Sequence, residues 1–352
     1  MLTRQRDEQA IRKADLGTSS AGKILTTPFT NSLMEHSQLL EIVKRPLSPD
    51  TRLEIPASQT EYERVQEIIE TEDANYPQLW YDSARQVAIV VAVPSPLHSR
   101  MAGQLMDSIL REVRSGFSSD ITSGLSLSTE TTSVSNTLYG LTRRGSDGAL
   151  IYLEGSRETL MIAVEVGVSQ SYQSLRAAIS WSVLTLHCRV GLAMSISEGD
   201  RGASPPVRYF ASKEEAETAV DGAEQAFRDQ LIQHPYGPLE RNGYIWFGRI
   251  RRVILETYRF PDDDRPYETL LSPSSSFIIV EDGEFIGDGI SPNLRQLVIG
   301  DCIPSHILTG RVAHTTPVNF FRREWFEDAF KNAMVKSAVL RVRLKTQVNA
   351  RH

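Results

Sequence analysis

Seven consecutive apolar residues at 87–93 (VAIVVAV) are closed off by Pro94 and Pro96. A run of that length suits a strand covered on both faces, and proline, which has no N–H to give a ladder, stops it. The period then changes. Met101, Leu105, Ser108, Ile109 and Val113 recur at helical spacing through SPLHSRMAGQLMDSILREV, which predicts a helix ending near Gly116. Ser/Thr/Gly-rich sequence over 115–136 reads as loops and short strands, and 149–153 and 160–166 as two strands joined through EGSRET as a hairpin. Residues 171–187 carry Leu175, Ala178, Ile179, Val183 and Leu186 on one helical face; Cys188, Val190, Leu192, Met194 and Ile196 then alternate along a strand. Strand, helix, strands, helix, strand is the order of a mixed α/β sheet flanked by helices, expected over residues 80–200.

Around this block the signals are looser. Residues 1–58 hold polar Ser/Thr stretches and prolines at 28, 46, 49 and 56, and read as a flexible arm in which one short segment, 33–43, could be an amphipathic helix packing on the body. A charged helix is expected over 59–72, capped by Ser58 or Thr60, with Tyr62, Val65, Ile68 and Ile69 on its buried face. GDRGASPP (199–206) is the best linker, so the expected organisation is an arm (1–58), a core (59–200) and a C-terminal α+β extension (207–345) packed on the core. The extension should contain a charged helix at 213–233, a strand pair or one long strand at 244–260, a hairpin turning at Asp282-Gly283, and a helix over 320–335.

The composition excludes several functions. With 38 basic and 44 acidic residues the net charge is −6, so nucleic acid is a partner only through a local basic patch. No run of 18 apolar residues exists, which argues against a membrane span, and the mixed-charge N-terminus lacks the apolar stretch of a secretory signal. Two cysteines give neither a disulfide framework nor a zinc quartet, which fits an intracellular protein of cytoplasm or nucleus. There is no Walker loop, GxGxxG or G-x-S-x-G elbow. A homo-oligomer is left open.

The chemistry concentrates in RRGSDGALIYLEGSRETLMIAVEVGVSQSYQSL. Asp147 precedes one strand and Glu165 lies near the end of its hairpin partner, 18 residues on, so the two carboxylates can meet at one sheet edge. Such a pair, without Cys or His neighbours, suits Mg²⁺ or Mn²⁺, which can polarise a phosphoryl oxygen and lower the pKa of a bound water. Equally, Asp147 can cap a turn and Glu165 can be a solvated strand residue. The stretch resembles the PD-(D/E)XK nuclease-like superfamily, and more narrowly its fungal members, through Ser146-Asp147, IAVEVGVSQSYQSL (162–175), Trp181 and the PSPLH helix opening. That resemblance implies a restriction-endonuclease-like mixed sheet flanked by helices. It would make Asp147 and Glu165 the metal ligands and let Gln170 orient a water. His98, Gln104 or Glu112 on the first helix could reach the same edge, and Arg143, Arg144 and Arg176 could supply positive charge to a substrate.

One departure bears on activity. The superfamily places a lysine two residues after the acidic one, where this chain has Gly167. Only seven of the 38 basic residues are lysines, and none lies between Arg45 and Ser212; the nearest beyond is Lys213. Arginine stays protonated and cannot serve as a base, and losing one transition-state charge costs roughly 3–4 kcal/mol. Three readings therefore stand: a metal-dependent phosphodiesterase on DNA or RNA, a catalytically silent fold that binds nucleic acid or a protein, and a fold recruited to small-molecule chemistry. Arg249, Arg251 and Arg252 form a further candidate phosphate patch, and Glu256 with Asp262, Asp263 and Asp264 a weaker cation loop.

Overall fold

The computed structural model describes residues 37–72, 76–137, 140–168, 171–260, 269–287 and 297–348, with side chains undescribed over 129–137 and 140–141. The chain divides into a short N-terminal unit, Met1–Gln38, and a body, Leu39–His352. The first elements are α1 (Gln38–Val43), β1 (Arg52–Pro56), α2 (Gln59–Thr71), β2 (Gln78–Asp82), β3 (Val87–Val91) and α3 (Pro96–Gly116). One turn, α4 (Ser119–Thr122), leads to β4 (Leu125–Thr137), β5 (Gly140–Glu154), β6 (Arg157–Val168), α5 (Tyr172–Thr185) and β7 (Val190–Glu198). Then come β8 (Arg208–Phe210), α6 (Lys213–Gln233), β9 (Leu239–Arg241), β10 (Tyr244–Phe247), β11 (Ile250–Arg259) and β12 (Ser275–Glu281). The last are β13 (Glu284–Phe285), β14 (Leu297–Val298), α7 (Ile299–Cys302), α8 (Ser305–Leu308), β15 (Pro317–Val318), α9 (Arg323–Leu344) and β16 (Thr346–Val348).

Ten strands form one mixed sheet in the order β1-β3-β2-β5-β6-β7-β11-β12-β13, with β4 also on β5. β5 and β6 are an antiparallel hairpin, whereas β6 and β7 run parallel because α5 carries the chain back across one face. Alternation along β6 sorts the layers. Ile162, Val164, Val166 and Val168 enter the large core beneath α3, α6 and α9, while Ala163 packs with Leu175, Ile179 and Val183 of α5 on the other face. The sheet is therefore a middle layer with helices on both sides.

The expected α3 and α6 are present at nearly their predicted bounds, each started by a serine N-cap, Ser95 and Ser212. Asp282 and Gly283 make the expected turn with φ of 47° and 77°. Two expectations about organisation differ from what is seen. The amphipathic helix expected within 33–43 is seen as α1, whose Leu39 and Val43 pack on the body, but 44–58 is not a loose arm: β1 adds Ile55 to the same small core with Tyr62, Val65, Tyr81 and Val90. The expected linker at 199–206 does not divide two separate sheets: β11 pairs along β7 from Ile250↔Glu198 to Arg259↔Val190, so core and extension share one sheet. Ser/Thr-rich 125–137 is one long strand rather than short pieces, because it pairs along most of β5. Among the described residues no helix is long and apolar enough to cross a membrane.

Candidate functional site at the fork of strand β5

Strand β5 changes partner along one edge: Arg143 faces Tyr81 of β2, whereas Gly148 to Glu154 face β6. The last ladder pair with β6 is Gly148↔Val164, so the next positions on that register are Asp147 and Glu165. There the side chain replaces the backbone: Asp147 Oδ2 accepts the Val166 N–H at 2.7 Å. Close approach on the β2 side is possible because residue 145 is glycine; a Cβ there would lie 3.0 Å from Cζ2 of Trp80.

Glu165 stands between Val164 and Val166, so it turns away from the large core, towards the α5 face. It is only 4% exposed, and its carboxylate has no hydrogen bond to a described residue. Burial, and then the charge of Asp147, push its carboxyl well above the usual range, against the pull of Arg52 and Arg144.

His98 lies in the first turn of α3, where the Ser95 hydroxyl accepts its backbone N–H at 3.3 Å. Its Nε2 is 2.8 Å from Asp147 Oδ1, an ion-pair distance reached off the hydrogen-bonding angle. Nδ1 is 3.5 Å from Asp50 Oδ1, which also accepts the Ser95 N–H at 2.7 Å. Burial alone would lower the imidazole pKa, but Asp147 and Asp50 outweigh it and raise it above its ordinary value. His98 is thus a clamp between two aspartates.

The cations come from two strands. Arg144 of β5 is 5% exposed, is paired with Asp82 of β2 and lies 5.6 Å over the Trp181 ring. Arg52 of β1 lies 5.4 Å over Trp80. Desolvation, and then the charge of Arg144, bring its pKa down to about 10, against Glu165, Glu54 and Asp147, so it stays charged at neutral pH. Among the described residues Arg52 has no ion-pair partner, and its Nε is buried without a hydrogen bond. Sequence reading missed Arg52 because it sits in the supposed arm. The signal available was the alternation of Leu53 and Ile55 ahead of Pro56 and the Ser58 cap.

Asp50, Arg52, Trp80, His98, Asp147 and Glu165 line a cavity of about 40 Å³, room for only a few waters since one needs roughly 10–15 Å³. It adjoins a larger cleft of about 820 Å³, with Asp50, Arg52 and Val168 in both walls. Two expected substrate-binding residues stand apart: Arg143 lies 3.7 Å from Glu70, and Arg176 donates to the Leu271 carbonyl at 2.8 Å. Gln170 and Asp262 to Asp264 lie outside the described residues. Gln104 meets Ser108, Glu112 pairs with Arg322 at 2.7 Å, and Lys213 is an exposed partner of Glu217.

A buried carboxylate without a described partner, beside a second carboxylate and a water-sized void, fits a hard cation that keeps several waters. Among the described residues no group of three or more His, Cys, Asp and Glu side chains is arranged to hold a metal, so the protein would contribute two ligands. The chain matches no family model, and no curated protein or solved structure matches it.

Proposed function

We propose that the body is a PD-(D/E)XK nuclease-like domain whose Asp147 and Glu165 bind a divalent cation, Mg²⁺ or Mn²⁺, and act on a phosphodiester of nucleic acid. The observation that carries this reading is the meeting of the two carboxylates one step beyond the last rung of the β5–β6 ladder, with Arg52 beside them. The fold is compatible with it: a mixed sheet flanked by helices, as the resemblance implies.

When bound, the cation would polarise a phosphoryl oxygen and acidify a water. The chain's own groups set the conditions. Val166 N–H fixes one oxygen of Asp147, and His98 holds the other until a ligand displaces it. Burial and the charge of Asp147 raise the carboxyl pKa of Glu165, so a cation held there would compete with a proton and its binding should strengthen with pH. Arg52 takes the electrostatic part of the lysine that Gly167 replaces, stabilising charge on the phosphate, but it cannot remove a proton from water.

Calorimetry with Mn²⁺ and cleavage assays on single- and double-stranded DNA and RNA test the reading. Saturable Mn²⁺ binding and Mn²⁺-dependent cleavage, both lost in Asp147→Ala and Glu165→Ala, are expected; a wild-type protein with neither overturns it. A second reading draws on the hold of His98 on Asp147: a silent member that binds nucleic acid without cutting it. That protein would bind in a salt-sensitive way indifferent to EDTA.

A further inference from the structure

The 820 Å³ cleft beside the carboxylates has walls whose charges do not balance. Arg52, Arg85, Arg144, Arg201 and Arg341 line it, with Asp50, Glu54 and Asp82. Each of those carboxylates is already engaged: Glu54 by Arg85, Asp82 by Arg144, and Asp50 by the Ser95 N–H and His98. On the far wall Arg341 takes Glu198 through two contacts of 2.7 Å, and Arg201 lies 3.6 Å from the same carboxylate, so two arginines share one partner. What is left over is positive, in a chain whose net charge is −6.

Two further features belong to the same cleft. The first turn of α5 contributes Ser171, Gln173, Ser174 and Ala177 to the wall. Ser171 caps it by accepting the Ser174 N–H at 3.2 Å, which leaves the earlier N–H groups of the 14-residue helix without intrahelical partners. A helix start of this kind favours an anion. Among the described residues, Trp181, 4% exposed and also in the wall, has no hydrogen-bond partner for its indole Nε1, and Arg144 has none for its Nε. Buried donors are rarely left unmet in a finished protein.

We infer that this cleft is a binding subsite for a phosphate monoester, seated at the start of α5 with Arg52 as its main cation and Trp181 in its wall. Its volume lies within the roughly 300–1,000 Å³ of small-ligand pockets, which fits a phosphate-bearing strand end or nucleotide rather than the flank of a duplex. The inference goes beyond the carboxylate site and requires neither a metal nor hydrolysis. Because Arg52 lines both spaces, a phosphate seated here would put the adjoining part of its carrier next to Asp147 and Glu165.

The test is calorimetry on the full chain in EDTA at low salt, with inorganic phosphate, a 5′-phosphorylated dinucleotide and the same dinucleotide unphosphorylated. Saturable phosphate binding is expected, weakened at least tenfold in Arg52→Gln and several-fold in Trp181→Phe. Arg143→Gln, which removes an equal charge outside the cleft, should leave it unchanged. The unphosphorylated dinucleotide should bind at least tenfold more weakly than the phosphorylated one. A phosphorylated dinucleotide tighter than inorganic phosphate assigns the site to strand ends, and equal affinity assigns it to the free anion. Glu165→Gln, which should abolish Mn²⁺ binding, should leave phosphate affinity equal or higher, so the two readings fail separately. The inference is overturned if folded wild-type protein shows no saturable phosphate binding, or if Arg52→Gln and Arg143→Gln bind phosphate alike.

Discussion

Glu165 and Glu256 are buried to the same degree, 4% and 5% exposed, on the same sheet, yet they live in opposite circumstances. Glu256 of β11 is fully hydrogen-bonded: Oε1 accepts from the Tyr172 hydroxyl at 2.6 Å and Ser276 at 3.2 Å, and Oε2 accepts from Tyr258 at 2.6 Å. Glu165 has none of this and faces Asp147. A carboxylate satisfied by three hydroxyls is architecture. One left beside a like charge works against the fold, and such conflict concentrates at functional sites.

The contrast can be broken in four ways, taken from the largest effect down. Glu256→Ala strands three hydroxyls and should destabilise the protein by about 2–4 kcal/mol in urea unfolding; a cost no greater than that of a surface substitution would remove Glu256 from the structural class. Mn²⁺ at a hundred times its Kd should stabilise the wild type by about 2.7 kcal/mol and Glu165→Gln not at all, read as melting temperature against metal concentration.

Third comes pH. Because the folded-state pKa of Glu165 is raised, the folded protein holds a proton that the unfolded chain releases above the ordinary carboxyl range near 4.3. Metal-free stability from this group is therefore full at low pH and lost as pH climbs towards the raised value. Glu165→Gln should melt above the wild type at pH 8 and level with it at pH 4; a lower melting point at pH 8 would mean the carboxylate is well paired after all. The smallest effect belongs to His98, also raised: its contribution is complete below about 6.5 and fades as pH rises through the folded value. His98→Gln should flatten the stability profile just above neutrality by about 1 kcal/mol or less, in the same melting series.

What was legible in the sequence depended on whether the pattern carried its own contrast. Helices α3 and α6 alternate apolar and charged faces behind a serine N-cap, so their bounds could be read within a residue or two. β4 offers LSLSTETTSVSNT, in which the alternation of Leu125 and Leu127 with serines gives way to an almost wholly polar run, and its pairing with β5 carries the strand through to Thr137. At the site, Asp147 and Glu165 were legible because hairpin register is local. Arg52 was not, since 95 residues separate it from Asp147 and only the β1-β3-β2-β5 order brings them together. Arg143 and Arg144, neighbours in sequence, part company because successive strand residues face opposite ways: one meets Glu70 of α2, the other Trp181 of α5.

The fork in β5 makes the site a joint possession of two cores. Its carboxylates ride on β5 and β6, over the main core, while Arg52 rides on β1, whose Ile55 is held by the small cluster of α1, α2, β2 and β3. Seated by few apolar residues, that cluster is expected to open at a lower free energy than the whole. Each opening would withdraw the cation and leave the carboxylates behind, so the protein would carry a reversible break in its own charge circuit, set by the stability of that cluster.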